Sequence, residues 1–126
     1  MNFTKGVGVF IIQDGKILLL KRKTDPFKDC WEVPAGKVDD LETFQETVIR
    51  ETKEETNLVV EPGREIGINI NEENRFESHM FTAKIIGGDL HNNELDKHSE
   101  IKFFSFNELP TELGSTTKKG LQILDK

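Results

Sequence analysis

Apolar and polar positions fall into short blocks separated by turn-forming residues. "VGVFII", Val7 to Ile12, and "KILLLKR", Lys16 to Arg22, are β-prone runs divided by Gln13, Asp14 and Gly15. Asp-Gly between two such runs is a hairpin signal, so the two are expected to pair as antiparallel strands. "KTDPFKD" reads as a loop, and "WEVPAGK" as a short extended piece because Pro34 biases Val33 away from helix. From about Thr43 to Asn57 there is neither Gly nor Pro, and Phe44 and Val48 stand at i, i+4 spacing. That pattern predicts a helix, with Asn57 as its C-terminal cap because asparagine tolerates left-handed backbone. "NLVVE", "REIGINI", "ESHMFTAKII" and "IKFFSF" read as further strands, with "IGGD" as a turn. "STTKKGLQILDK" reads as a short helix weakened by Gly120. Strands on both sides of a central helix predict an α/β fold, a mixed sheet with helices packed against it.

The length, 126 residues, is that of one domain, so a single domain over residues 1–126 is expected. Seventeen basic residues against 23 acidic give a net charge of -6, which repels a nucleic-acid backbone on average and makes long nucleic acid an unfavourable partner. The one cysteine, Cys30, excludes an internal disulfide and reads as a small buried hydrophobe in a reducing compartment. No apolar run approaches membrane-spanning length, and the first residues lack a basic stretch followed by an apolar one; the expected location is the cytoplasm.

The chemistry concentrates in the predicted helix. Glu51, Glu54 and Glu55 stand at i, i+3 and i+4, within an arc of about 100° on a helix. Like charges so placed cost an isolated helix roughly 0.2–0.5 kcal/mol per pair. A divalent cation among them would remove that cost, and oxygen donors without a Cys/His cluster suit magnesium better than zinc. A solvated acidic face partly neutralised by Arg50 and Lys53 is the other reading that the spacing allows.

The wider pattern adds to this. Gly36, five residues, Glu42, seven residues, then Arg50-Glu51-Thr52-Lys53-Glu54-Glu55-Thr56-Asn57-Leu58 resembles the signature of the Nudix hydrolase family, which includes the MutT-like nucleotide pyrophosphohydrolases. Seven of the nine specified positions match. Thr52 stands where an apolar residue is usual, leaving a hydroxyl in need of a partner, and Asn57 replaces the final glycine. The resemblance implies a Nudix-type α/β/α sandwich, with a mixed β-sheet between helices. It implies that Glu51, Glu54, Glu55 and the backbone carbonyl of Gly36 hold Mg²⁺ or Mn²⁺, with Glu51 the first choice as general base. It further implies that Glu42 and Arg50 pair to orient the loop against the helix.

A second acid in this family often precedes the last strand. Glu100 resembles that position, as catalytic base or metal ligand, with Glu94 and Asp96 as weaker candidates on the same loop. Arg22 and Arg75 are candidate phosphate ligands, either as bidentate guanidinium contacts or as plain solvated charges. Phe27, Phe76 and Phe81 could stack on a base or lie in the core. His79, His91 and His98 share no spacing and read as structural.

The chain has no tyrosine, no proline between Pro62 and Pro110 and no "SQPWPFP"-like run. Those absences disfavour, by resemblance, the dinucleoside-polyphosphate, ADP-ribose and NADH subclasses. What remains is a nucleoside or deoxynucleoside triphosphate cleaved to monophosphate and pyrophosphate. The alternatives are another nucleotide derivative, such as ADP-ribose, a dinucleoside polyphosphate or an RNA 5′ end, and a Nudix-like module that binds a nucleotide without hydrolysing it. Dimers are common in the family, so the expected partners are a small nucleotide and a possible second copy, with no membrane.

Overall fold

The structure, a computed structural model, describes residues 2–125. In chain order its elements are β1 (Thr4–Gln13), β2 (Lys16–Arg22), β3 (Trp31–Glu32), β4 (Ala35–Lys37), α1 (Phe44–Thr56), β5 (Val59–Asn71), β6 (Phe76–Gly87), β7 (His98–Ser105) and α2 (Ser115–Leu124). Asp14 and Gly15 both take positive φ, 53° and 75°, as a two-residue type I′ hairpin turn requires. The hairpin holds only at its tip, where Ile12 faces Ile17 and Gln13 faces Lys16. Beyond it β1 runs parallel to β6 from Thr4 to Ile11 and antiparallel to β4 through Gly6–Gly8, while β2 pairs with β7 and β3. The mixed sheet runs β3-β2-β1-β6-β5, leaving β5 at an edge.

Strand alternation divides β1 between two cores. Val7, Val9 and Ile11 pack with Val48 of α1, Leu18, Leu58 and Phe81. Phe10, on the other face, packs with Ile17, Trp31, Met80 and Leu121 of α2. A helix therefore covers each face, which is why β1 and β2 read as continuous apolar runs rather than alternating ones. The result is an α/β/α sandwich.

Helix α1 begins and ends on local signals. Thr43 accepts from the Glu46 N–H and the Glu46 carboxylate accepts from the Thr43 N–H, a capping box. Asn57 ends the helix at φ 66°, the left-handed cap. Phe44 stacks on the buried His79 at 4.0 Å, and both His79 nitrogens lie 2.7 Å from carboxylates, Glu65 and Glu77. The buried stripe of α1 is short of hydrocarbon: Thr47, Val48, Thr52, Glu55 and Thr56. Thr52 fills the usual apolar position, and its buried Oγ1 has no partner among the described residues.

"NLVVE" and "REIGINI" were expected as separate strands; they join in one 13-residue strand, β5. Pro62 does not break it because an edge strand does not need every N–H, and register shifts after Pro62 and Glu65 absorb the irregularity. "IGGD" turns later than expected, since β6 continues through Gly87 and Gly88 takes φ 81°. Gly120 has a packing reason: a Cβ there would overlap the ring of Phe10, which is fully buried.

Arg50 fastens the β4–α1 connection to the helix. Its Nε and Nη2 donate to both oxygens of Glu42 at 2.8 and 2.9 Å, and Nη2 also donates to the Lys37 carbonyl at 2.9 Å. Glu42 accepts from the Thr47 hydroxyl at 2.7 Å and the Asp39 N–H at 3.0 Å as well. The Arg50 hydrogen bonds, more than any other contact, hold the Glu42 carboxyl down at about 2 against their desolvating cost.

Three outcomes follow for stability, each readable by urea unfolding. The folded-state pKa of Glu42 is depressed, so its contribution is present above the unfolded value near 4.5 and is lost as pH falls through about 2. Glu42→Gln should therefore be less stable than wild type at pH 7, with the gap closing across that window. Thr52→Val, which removes an unpaired buried hydroxyl, should stabilise by about 1 kcal/mol. Gly120→Ala should destabilise by roughly 1–3 kcal/mol through overpacking, although alanine is the better helix former.

Candidate active site

Glu51, Glu54 and Glu55 leave α1 in different environments. Glu55 continues the stripe that packs on the sheet, is only 8% exposed, and accepts the Ala35 N–H at 3.0 Å. Burial pushes its carboxyl well up; the Ala35 hydrogen bond opposes this, and the negative charges of Glu51, Glu94 and Glu32 add to it. Glu51 lies at the edge of the stripe over Gly36, where any Cβ would overlap its carboxylate. Its carboxyl is also pushed up, first by burial, with Arg50 opposing and Glu54 and Glu94 adding. Glu54 faces out, half exposed. The remaining nitrogen of the Arg50 fork, Nη1, stands between Glu51 and Glu54, at 3.1 and 3.2 Å. Among the described residues these carboxylates do not close round a single point: two share a guanidinium and the third turns to the backbone.

Gly36 lies on β4 against the site. The β1–β4 register sets it opposite Val7, between hydrogen bonds from Val9 N–H to the Pro34 carbonyl and from Val38 N–H to the Lys5 carbonyl. By antiparallel alternation its own carbonyl points at β1, and a Cβ on Gly6 would lie 2.6 Å from that oxygen. Its contribution is the missing Cβ that lets Glu51 approach. The polar backbone of Ala35 is the part turned toward α1.

The loop over residues 88–97 supplies a fourth acid. His91 and Asn93 N–H donate to the carbonyls of Thr56 and Glu55 at 2.9 and 3.2 Å, and Asn93 Nδ2 donates to Lys53 O at 3.3 Å. The loop thus satisfies the open carbonyls at the end of α1, the need that every helix C-terminus has. Docking there brings Glu94 beside the motif. One of its oxygens is 3.6 Å from Lys97, and the other is buried without a partner among the described residues. Glu100 forms a half-exposed ion pair with Lys21 at 3.9 Å on the β2–β7 ladder. Asp96, the other weaker candidate, contributes negative charge near His98, whose ring burial, Arg22 and Lys97 hold neutral with a pKa of about 4.

A cleft of about 1150 Å³ opens from Ala35 and Glu55 toward α2. Arg22 and Phe27 line it, as does Cys30, expected as a buried hydrophobe but half-buried here. Arg22 donates to the Pro26 carbonyl at 2.8 Å and stands 3.6 Å from Glu32. Burial raises the Glu32 carboxyl, and Arg22 opposes that rise. Phe27 sits at the rim, 68% exposed. Arg75 is outside the cleft, in the β5–β6 turn at φ 55°, its guanidinium 5.7 Å above the ring of Phe3. Phe76 lines the cleft, whereas Phe81 is core. The far wall combines Asn69, Asn71 and Asn74 with the first turn of α2, residues that no motif marks because three separate elements supply the wall.

Comparison with known proteins adds a family to this geometry. The chain is 39% identical over 104 residues to an ADP-ribose pyrophosphatase of Methanocaldococcus jannaschii, covering 79% of this chain and 60% of that protein. It is 30% identical over 110 residues to an 8-oxo-dGDP phosphatase of Homo sapiens, covering 85% of this chain and 33% of that protein. The chain thus spans less than two thirds of the length of these relatives. A crystal structure of a MutT NUDIX hydrolase from Burkholderia pseudomallei superposes with a TM-score of 0.85 at 31% identity, covering 96% of this chain and 97% of that one. The NUDIX domain model matches residues 2–123, and the chain belongs to that family.

Proposed function

We propose that this chain hydrolyses a phosphoanhydride bond in a nucleotide with the help of a divalent cation, Mg²⁺ or Mn²⁺. The observation that carries the reading is the buried oxygen of Glu94, without a partner among the described residues, beside Glu51 and Glu55, the last of which lines a cleft of nucleotide size. Buried carboxylates whose charged forms are destabilised by burial and by one another fit a small hard cation with oxygen donors. Glu51, Glu54, Glu55 and Glu94 would hold it. The chemistry that such a cation supplies is neutralisation of the diphosphate charge and a lower pKa for a water molecule.

The side chains have distinct tasks. Glu51, partly desolvated, has the raised proton affinity that suits a general base. Arg50 keeps Glu51 and Glu54 from springing apart. Arg22, on the cleft wall, offers a guanidinium to substrate phosphate, and Phe27 offers an aromatic face at the rim. A nucleoside or deoxynucleoside triphosphate, cleaved to monophosphate and pyrophosphate, is the first substrate to try. ADP-ribose is a second, favoured by the 39% identity to an ADP-ribose pyrophosphatase although the chain lacks the downstream proline of that subclass. Both contain a nucleoside diphosphate joined to a further group.

Phosphate release from canonical and oxidised nucleoside triphosphates, ADP-ribose, NADH and diadenosine polyphosphates, with coupling enzymes as appropriate, tests the reading. The expected result is Mg²⁺- or Mn²⁺-dependent turnover abolished by EDTA and reduced more than about a hundredfold in Glu54→Gln and in Glu94→Gln. Glu100→Gln should keep turnover within about twofold, because its ion pair with Lys21 is a half-exposed surface contact. Silence across the panel from folded protein would leave a nucleotide-binding module instead.

A further inference from the structure

The cleft has a recognition wall at its far end. Asn69 and Asn71 alternate along β5, so both side chains leave the same face of the strand, and both are half-buried in the cleft. Each carboxamide is anchored at one end only. Asn69 Nδ2 donates to Thr116 Oγ1 at 3.0 Å and Ser115 Oγ at 3.3 Å. Asn71 Oδ1 accepts the Asn74 N–H at 3.2 Å. A backbone N–H can only donate, so this contact forces the oxygen of Asn71 toward Asn74 and its NH₂ away. That NH₂ has no partner among the described residues, and neither does Asn69 Oδ1. Directly opposite Asn71 in the β5–β6 register is Phe76, whose ring lines the same cleft.

A fixed amide donor next to an aromatic face is the pair of contacts by which proteins read a single nucleobase, by hydrogen bonding at its edge and stacking on its plane. We propose that Asn71, with Phe76 beneath the base, selects nucleobases that present a carbonyl oxygen at this edge. The inference rests on the reading that the cleft takes a nucleotide, and it names the feature of the base that the cleft would select. Exocyclic groups project furthest from a base and so meet a strand side chain first. An amine in the same place would set donor against donor and leave both unpaired.

The test compares isosteric pairs by calorimetric binding in Mg²⁺: inosine against adenosine monophosphate and uridine against cytidine monophosphate, with ribose 5-phosphate as the baseless control. Wild type should bind the carbonyl member of each pair roughly tenfold more tightly or better. Asn71→Asp keeps the oxygen that caps the turn but replaces the donor with an acceptor, so the order within each pair should reverse whatever its added charge does to phosphate binding. Asn71→Ser retains a turn-capping oxygen and should bind both members equally, with ribose 5-phosphate affinity unchanged. A wild type without preference within pairs, or an Asn71→Asp protein with the wild-type order, overturns the inference. Selective binding without turnover of any nucleotide in the panel overturns the hydrolase reading and leaves this inference standing, turnover without selectivity does the reverse, and no binding of any nucleotide overturns both.

Discussion

Arg50 is the contact on which the arrangement of acids depends. One guanidinium takes both oxygens of Glu42, the Lys37 carbonyl, and one oxygen each of Glu51 and Glu54. Its planar fork allows this; an ammonium could neutralise the same charge but could not hold three carboxylates and a carbonyl in fixed directions. The connection from β4 to α1 and the outward acids of α1 are therefore parts of one polar network.

The sheet-facing stripe of α1 gives up apolar packing to make this possible. Threonines and Glu55 occupy places where leucine or valine would bury more hydrocarbon, and Thr52 leaves a hydroxyl unpaired. Val48, Leu58 and the β1 valines carry the apolar contact on that side. On the opposite face, α2 comes close enough to exclude a Cβ at Gly120, so Phe10 fixes the helix that forms one wall of the cleft. One face of the sheet thus carries the charged chemistry and the other positions the wall that would meet the rest of a substrate.

Local signals were legible wherever the chain interacts with its near neighbours. The type I′ turn at Asp14-Gly15, the ends of α1 at Thr43 and Asn57, and the crowding of Glu51, Glu54 and Glu55 all come from contacts a few residues apart. Pro62 sits inside β5 at a cost that depends on whether a strand lies at an edge, and only the sheet order places β5 there. Gly120 likewise has an intrinsic penalty in a helix that sequence shows, while its benefit lies against Phe10, 110 positions earlier in the sequence.

The sequence by itself determined the α/β character, the charged helix and the family, because periodicity, capping and motif spacing are short-range properties. Tertiary structure alone decided which acids keep company. Glu94, rather than Glu100, stands beside the motif because its loop satisfies the last carbonyls of α1, whereas Glu100 lies on a ladder opposite Lys21. Arg22 lines the cleft and Arg75 does not, because one ends a strand beside the cleft and the other, in a turn whose Asn74 lines the cleft, sets its guanidinium over Phe3. Asn71 and Phe76 meet only because β5 and β6 pair in one particular register. Such neighbours are set by long-range hydrogen bonding and close packing, for which the order of residues along the chain carries no local sign.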